Sequence, residues 1–574
     1  MRQVVWRARG SGTVRSLTDY PIGESAKPSL RSGKHSASFP GRALLITNSH
    51  SASHALVHGR DNVASGSAGV LGGMTMAARY SKSSAETESG AQAGVTRADV
   101  REAVGKIDDV VAQVMADTGV PGVALALVHA DEVVYANGYG VREVGKPERV
   151  DTDTVFQLAS MSKPVSATAV SALVGQGVMS WQQPIHAVAP DIVFSDSWVT
   201  EHVTFADLYS HRTGLPGGTG DSLEQIGYTR EEILDRFRVV PLNPFRATYA
   251  YTNFGLTAGG DAAAKAAGTS FEEMIAEQLF GPAGMTSSSA RYADFLSRSN
   301  RATLHTRIDG KWVPGPKRAP DAQAPAGGVS STVIDMAGWA RLELAGGTLG
   351  GRRIVASDAL AESHKPHVLR RPPSTAEQPG AFYGLGWNLD VDHLGYVRWS
   401  HSGAFTQGAA TTTVLIPKEG LGIVVLTNGR PIGVPEAISD MVVDEVVRGG
   451  PTADWLTYWG QQFAGMFIED PALSKLPAQL TPARAVEVYL GSYGNAFYGT
   501  FEIRAGSGGL EVVKGPAKRT YALTHWDADT FTDVPDLESP DVRAAISFTV
   551  SGARASAIDI DDDAGLGTLR RVDD

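Results

Sequence analysis

Cysteine is missing from all 574 residues, so the chain has no disulfide, no thiolate metal site and no cysteine nucleophile. That absence does not fix the cellular compartment, since a cysteine-free protein folds in an oxidising or a reducing one. Long apolar runs are also missing. No stretch reaches the roughly 18 consecutive apolar residues of a membrane-spanning helix, so no integral membrane segment is expected. Basic residues are in deficit, 51 against 62 acidic ones, for a net charge of −11. No basic stripe interleaved with aromatics occurs, and nucleic acid is not an expected partner. There is no His-Glu-x-x-His, and the 14 histidines are scattered. A metallohydrolase is therefore a poor reading, and neither a metal nor a cofactor is expected. The N-terminus, Met1-Arg2-Gln3, is not followed by the apolar core of a secretory leader. Val70 to Met76 comes nearest, but Gly72 and Gly73 dilute it, which leaves a cytoplasmic location as the default.

What is present is ordinary for a folded protein: 42% hydrophobic and 20% charged residues, in a chain long enough for two to four modules. Residues 1–94 are rich in Ser, Gly, Ala and Arg without periodicity, and are expected to be disordered or weakly ordered, as if translation began upstream of a functional start at Met74 or Met76. Order is expected from Thr96, an N-cap ahead of Val100, Val104, Ile107, Val111, Val114 and Met115 at helical spacing. Val123–His129 and Glu132–Ala136 read as a hairpin across Ala130-Asp131. Helical patterns follow at Phe205–Tyr209, Thr229–Phe237, Phe254–Ala267, Phe271–Leu279 and Thr332–Leu344. Strands are expected at Gly384–Leu389, Val397–Ser400, Thr411–Ile416 and Gly422–Thr427, the last two joined by a turn at Lys418-Glu419-Gly420. Strands at both ends of a domain with helices between them indicate an α+β fold over residues 95–450: an antiparallel sheet flanked by helices, with a helical subdomain. Residues 451–480, with Trp455 and Trp459, read as a docked connector. From 481 to 574, seven short strands separated by Gly, Asp and Pro turns indicate a small all-β barrel or sandwich.

Within this frame one pair of residues carries chemistry. Lys163 is the only lysine in the chain with a serine three residues before it, Ser160, and that spacing puts the two side chains on one helix face. A hydroxyl is a weak nucleophile until a base takes its proton, and an amine one turn away can take it. Pro164 is tolerated only in a first helical turn, so Ser160 belongs at or just before a helix N-terminus, where free N–H groups favour developing negative charge. Tyr251 and Asn253, two residues apart in Tyr-Thr-Asn-Phe-Gly, can present a phenol and a carboxamide to one pocket. A phenol beside an ammonium group is expected to have a lowered pKa and to share the proton transfers. Tyr-x-Asn also occurs at Tyr135–Asn137 and at Tyr493–Asn495, and its position in the chain favours Tyr251. His401-Ser402-Gly403-Ala404 enters the second strand-rich run, and a glycine there lets a substrate approach the backbone edge. The Ala404 N–H could then join that of Ser160 in an oxyanion hole. Tyr209–Pro216 reads as a helix end and tight turn stopped by Gly214, with His211 bracing it.

Together, Ser160-x-x-Lys163, Tyr251-x-Asn253, His401-x-Gly403, the turn His211-Arg212-Thr213-Gly214-Leu215 and the strand Tyr383-Gly384-Leu385-Gly386-Trp387 resemble the serine β-lactamase/penicillin-binding-protein superfamily, in its class C-like branch. The resemblance covers roughly residues 97 to 430. Tyr489-Leu490-Gly491-Ser492-Tyr493 also resembles the small β-domain often appended to these hydrolases. The resemblance implies that Ser160 is acylated, that Lys163 and Tyr251 share acid/base work, and that Asn253 bonds substrate or Lys163. It further implies that Ser160 and Ala404 N–H groups stabilise the oxyanion, while His401, Ser402 and Gly403 align the substrate. His401 stands where β-lactamases of this branch carry Lys, and a neutral imidazole forgoes attraction to a substrate carboxylate. The expectation is an esterase-like serine hydrolase acting on a small ester, or on a D-configured amide or peptide. β-Lactamase or D,D-peptidase activity, acyl transfer, and a catalytically weak cell-wall peptide-binding role stay open as alternatives. Oligomeric state is not legible.

Overall fold

The computed structural model describes residues 94–467, 472–473, 475–534, 542–562 and 564–572. The expected disorder of residues 1–94, the start at Met74 or Met76 and the absent leader fall almost wholly outside the described residues.

The first helix, α1 (Arg97–Thr118), is capped as its sequence demands. The Thr96 side chain accepts from Asp99 N–H while the Asp99 carboxylate accepts from Thr96 N–H. The hairpin follows as β1 (Gly122–His129) and β2 (Glu132–Gly140), with Ala130 and Asp131 both at positive φ, the geometry a two-residue hairpin turn needs. All eight residues of β1 are buried because the sheet is covered on both faces. Ala124, Ala126 and Val128 pack into the helical layer, and Val123, Leu125 and Leu127 pack with α1 and with α6 (Val434–Arg448).

The rest of the sheet comes from the chain beyond residue 367: β3 (Val368–Arg371), β4 (Ala381–Tyr383), β5 (Asn388–Val391), β6 (Val397–Phe405), β7 (Ala409–Ile416) and β8 (Leu421–Thr427). Their order is β2-β1-β8-β7-β6-β5-β4-β3, antiparallel throughout, so the expected α+β sheet built from both ends of the domain is present. Between the halves lie α2 (Ser162–Gly175), α3 (Asp221–Gln225), α4 (Asn253–Ala267) and α5 (Val333–Leu344), among shorter helical turns.

Several expectations need correcting. Gly384–Leu389 is not one strand. Gly384 to Trp387 is a turn closed by Gly384 N–H to Trp387 O, with Gly386 at φ 81°. Its apolar residues looked strand-like because Leu385 and Trp387 are buried, but they are buried from a turn. β6 runs on to Phe405 instead of ending at Ser400. The helix at Phe205–Tyr209 has the expected bounds, but its cap is Ser210, not Gly214, and His211 takes a left-handed φ of 58°. The Thr229–Phe237 and Phe271–Leu279 patterns are α-helical only to Asp235 and Ile275, and continue as 3-10 and π turns.

Past the connector helix α7 (Trp455–Ala464), eight strands close into an antiparallel barrel: β9 (Gly491–Asn495), β10 (Gly499–Gly506), β11 (Gly509–Lys514), β12 (Arg519–Asp527), β13 (Thr530–Asp533), β14 (Ala544–Ser551), β15 (Arg554–Ile560) and β16 (Thr568–Arg571). The strand β9 was not among the seven expected. α7 is held to α6 by Trp455 Nε1 donating to Asp444 (2.7 Å) and Trp459 Nε1 donating to Asp440 (2.8 Å). The barrel docks on the segment that includes α3. Tyr228 donates to Tyr498 O (3.1 Å), Arg236 to Phe497 O (2.9 Å) and Arg519 to Gln225 O (3.0 Å).

Candidate active site

Ser160 lies in a single 3-10 turn (Ala159–Met161) running directly into α2, and Pro164 occupies the first turn of that helix. Ala159 is held at φ 47° without being glycine, a conformation costing on the order of 1–2 kcal/mol. The turn is over-determined by its neighbours: Leu158 N–H bonds Val329 O, and Leu158 O accepts from the Thr411 hydroxyl on β7.

Lys163 is fully buried. Its Nζ makes three hydrogen bonds, to Ser160 Oγ (3.0 Å), Asn253 Oδ1 (2.7 Å) and Ala326 O (3.0 Å). Burial pushes its pKa down to about 7, with the nearby Asp221 opposing the fall. A neutral amine has two hydrogens. With these given to the Asn253 and Ala326 oxygens, which can only accept, its lone pair faces the Ser160 hydroxyl. That is the arrangement of a base beside its nucleophile.

Tyr251 donates to Ser160 Oγ at 3.0 Å from the other side, and Lys163 Nζ sits 4.7 Å from its ring centre. The expected lowering of the phenol pKa is overturned. Burial raises it well above 10, outweighing the hydrogen bond to Ser160, so the phenol keeps its proton. It can give a proton up but is not prepared to take the first one. His211 braces this corner as expected, its Nδ1 accepting from Thr252 N–H at 3.2 Å.

Asn253 opens α4 and is nearly buried. Its amide accepts from Lys163 at one end and donates from Nδ2 to both oxygens of Asp221 (3.2 and 3.1 Å) at the other. On β6, Gly403 runs so close to the nucleophile turn that an added Cβ would lie 2.0 Å from Leu158 O and 3.0 Å from Ser160 N. Ala404 follows it along the strand. Ser402, one residue before, points to the opposite face, where its hydroxyl meets Thr412 Oγ1 (3.1 Å) and the buried Glu436, whose carboxyl is pushed up to about 7 by desolvation.

His401 is buried, with both ring nitrogens engaged: Nδ1 with Ser402 O (2.7 Å) and Nε2 with the Tyr383 hydroxyl (3.0 Å). Since a carbonyl can only accept, Nδ1 carries the hydrogen and Nε2 accepts from the phenol. Burial and the charge of Lys163 hold the imidazole down at about 3. Burial lifts the Tyr383 phenol well above its usual range, so it remains the donor.

The comparisons with known proteins give the family and the fold. Residues 107–448 match the family model described as beta-lactamase. The chain belongs to that family. Residues 475–567, the barrel region, match a domain of unknown function, DUF3471. Among its relatives, unguisins hydrolase ungD of Aspergillus violaceofuscus is 24% identical over 79% of this chain and 87% of its own length. The D-alanyl-D-alanine-carboxypeptidase/endopeptidase AmpH of Escherichia coli K12 is 23% identical over 58% of this chain and 85% of its own. In fold, the chain is similar to the octameric penicillin-binding protein homologue from Pyrococcus abyssi, with a TM-score of 0.54 at 20% identity, covering 81% of this chain and 99% of that one. The chain is thus a hydrolase of the serine β-lactamase/penicillin-binding-protein superfamily, with the family's sheet-and-helix fold and an added closed barrel.

Within the candidate site, the structure brings together Ser160, Lys163, Tyr251, Asn253, His401 and Gly403. Two contributors were missed in the sequence. Tyr383 stands out in the sequence only as part of the Tyr383–Trp387 motif, and its hydroxyl caps His401. Asp221 is the first residue of α3, after a glycine-rich turn whose course no local signal specified. Among the described residues, no cluster of three or more His, Asp or Glu side chains is placed to hold a metal ion, and no helix is long and apolar enough to cross a membrane.

Proposed function

We propose that this protein hydrolyses small carboxylic esters, or D-configured amides and peptides, through an acyl-enzyme on Ser160, with esters the better substrates. The observation that carries the reading is the Ser160 hydroxyl held at 3.0 Å by both Lys163 and Tyr251, one group able to take its proton and the other able to give one.

The Ser160 oxygen attacks the substrate carbonyl carbon as its proton passes to Lys163 Nζ. Negative charge moves to the carbonyl oxygen, where the Ser160 and Ala404 N–H groups receive it. The bond to the leaving group then breaks, and the Tyr251 phenol, replenished from Lys163, supplies the departing oxygen or nitrogen with its proton. Water repeats the sequence on the acyl-enzyme. An alkoxide leaves with less help than an amine, which favours esters.

His401 sets the second preference. An imidazole kept neutral, with both nitrogens already bonded, offers no cation to a substrate carboxylate. This supports carboxylate-free substrates over β-lactams. Similarity to a carboxypeptidase/endopeptidase keeps D-peptides within the proposed range. The same reading assigns residues 95–450 to the hydrolase domain, 451–480 to a connector and 481–574 to the accessory barrel.

The test is a pair of initial-rate measurements on p-nitrophenyl butyrate and nitrocefin. Faster ester turnover is expected. Dominant nitrocefin turnover would overturn the substrate assignment.

A further inference from the structure

We infer that Asp221 is a positioning residue for the acid/base chemistry, acting on Lys163 through the carboxamide of Asn253. The inference rests on the proposed role of Lys163 as the base for Ser160.

The side chains form one continuous chain: Tyr251 Oη to Ser160 Oγ, Ser160 to Lys163 Nζ, Lys163 to Asn253 Oδ1, and Asn253 Nδ2 to the two oxygens of Asp221. An amide facing a carboxylate must present its N–H₂ group, so Asp221 fixes which way Asn253 lies. Only that orientation turns Oδ1 toward Lys163 and lets it accept one of the amine's hydrogens. The logic is that of a Ser-His-Asp triad, where a carboxylate orients the base and stabilises the cation it becomes, with an amide interposed. An amide does not readily pass a proton along, so the coupling is orientation and charge, and the proton stays on Lys163.

Asp221 is itself held in place. It follows Gly218 and Gly220 at φ 70° and 94°, and a Cβ on Gly220 would lie 2.7 Å from Ile233 and 2.9 Å from Phe254. Gly218 N–H bonds Tyr251 O (3.0 Å), tying the loop to the phenol it serves. On the far side Ser222 Oγ meets the Tyr498 hydroxyl of the barrel at 3.4 Å. The charged neighbours of Asp221 are Lys163, Glu224 and Arg318, the last two paired with each other at 2.5 Å. Lys163 is otherwise surrounded by the neutral His211, His401 and Tyr251. Desolvation and Glu224 raise Asp221 to about 7, with the Asn253 hydrogen bond and the charges of Lys163 and Arg318 opposing the rise. Asp221 and Lys163 thus titrate in the same range and act as a coupled pair.

When the Ser160 proton reaches Lys163, an ammonium forms in a dry site, and the Asp221 carboxylate is the anion that stabilises it. Removing that carboxylate lowers the proton affinity of Lys163, which moves the acid limb of Ser160 reactivity to lower pH and weakens the base.

The test follows the second-order rate of Ser160 labelling by a fluorophosphonate probe across pH, in the full-length protein and in Asp221→Asn and Asp221→Glu. In the unaltered protein labelling should rise through an acid limb near pH 7. In Asp221→Asn the limb is expected about one pH unit lower, with a plateau at least about tenfold slower. Asp221→Glu, which keeps the charge, should hold the limb within a few tenths of a unit. A limb unmoved in a folded Asp221→Asn overturns the inference, because a merely structural role would lower the rate without moving its midpoint. Should Asp221→Asn not fold, a shifted limb in Asp221→Glu overturns it equally. Failure of the unaltered protein to label Ser160, or labelling without an acid limb, would instead contradict Lys163 as the base.

Discussion

Burial acts oppositely on the two groups that flank Ser160. It drives the Lys163 ammonium toward neutrality at about pH 7 and drives the Tyr251 phenol away from ionisation. One environment therefore makes a base and an acid 3.0 Å from the same oxygen. Removing the phenol oxygen, in Tyr251→Phe, is expected to slow acylation about 10²-fold, measured as the pre-steady-state rate with p-nitrophenyl butyrate. A loss below about threefold would reduce Tyr251 to packing. The neutral His401 gives a second expectation. With its pKa held near 3, the preference for p-nitrophenyl butyrate over an ester bearing a free carboxylate should not vary between about pH 5.5 and 8. A preference that fades below about pH 6.5, the range of an unperturbed imidazole, would contradict a His401 that stays neutral. At this scale the identities were legible and the electrostatics were not. Ser160 and Lys163 announce themselves by spacing, but burial is a property of the assembled site, so the direction of the Tyr251 shift could not be read beforehand. Asp221 gave no local signal because Asn253 lies 32 residues further along the chain.

Among the elements, β6 contributes its closeness to the nucleophile turn more than any side chain. The missing Cβ at Gly403 lets the strand run against Leu158 O and Ser160 N, and the Thr411 hydroxyl on β7 bonds the same carbonyl. Gly403→Ala would put a methyl group 2.0 Å from Leu158 O, so strand and turn must part. The expected result is a loss of kcat/KM of at least about tenfold, with folding retained by circular dichroism. Activity within about twofold of the unaltered protein would mean that the approach is not needed. The hairpin of β1 and β2 was legible because two β-prone runs flank the Ala130-Asp131 turn and agree with it. The segment Gly384–Trp387 misled because its burial comes from packing a turn on α2: a Cβ on Gly386 would lie 2.8 Å from Lys163 O. Apolar content alone does not separate a buried turn from a strand.

Across the whole molecule, the barrel bears on the segment that begins with Asp221 and α3. Tyr228 donates to Tyr498 O and stacks under the Arg236 guanidinium at 4.0 Å, while Gly227 at φ 97° lies against Ala517. Tyr228→Ala should cost about 3 kcal/mol at this contact and split thermal unfolding, followed by calorimetry, into separate transitions for barrel and hydrolase domain. A single unshifted transition would show the contact to be incidental. The barrel's existence was legible from its turn-punctuated strands. Its closure was not, because β9 (Gly491–Asn495) has two glycines, no β-branched residue and only Tyr493 fully buried, and its pairing with β10 and β16 is what completes the ring.

The most direct test of the central claim, that Ser160 is the acylated nucleophile, compares Ser160→Ala with the unaltered protein. Both p-nitrophenyl butyrate turnover and the fluorophosphonate adduct, mapped by mass spectrometry of the peptide holding residue 160, are measured on the same preparations. Loss of both in a variant that folds normally is the expected result. Turnover that survives the substitution, or an adduct on another residue, would contradict it.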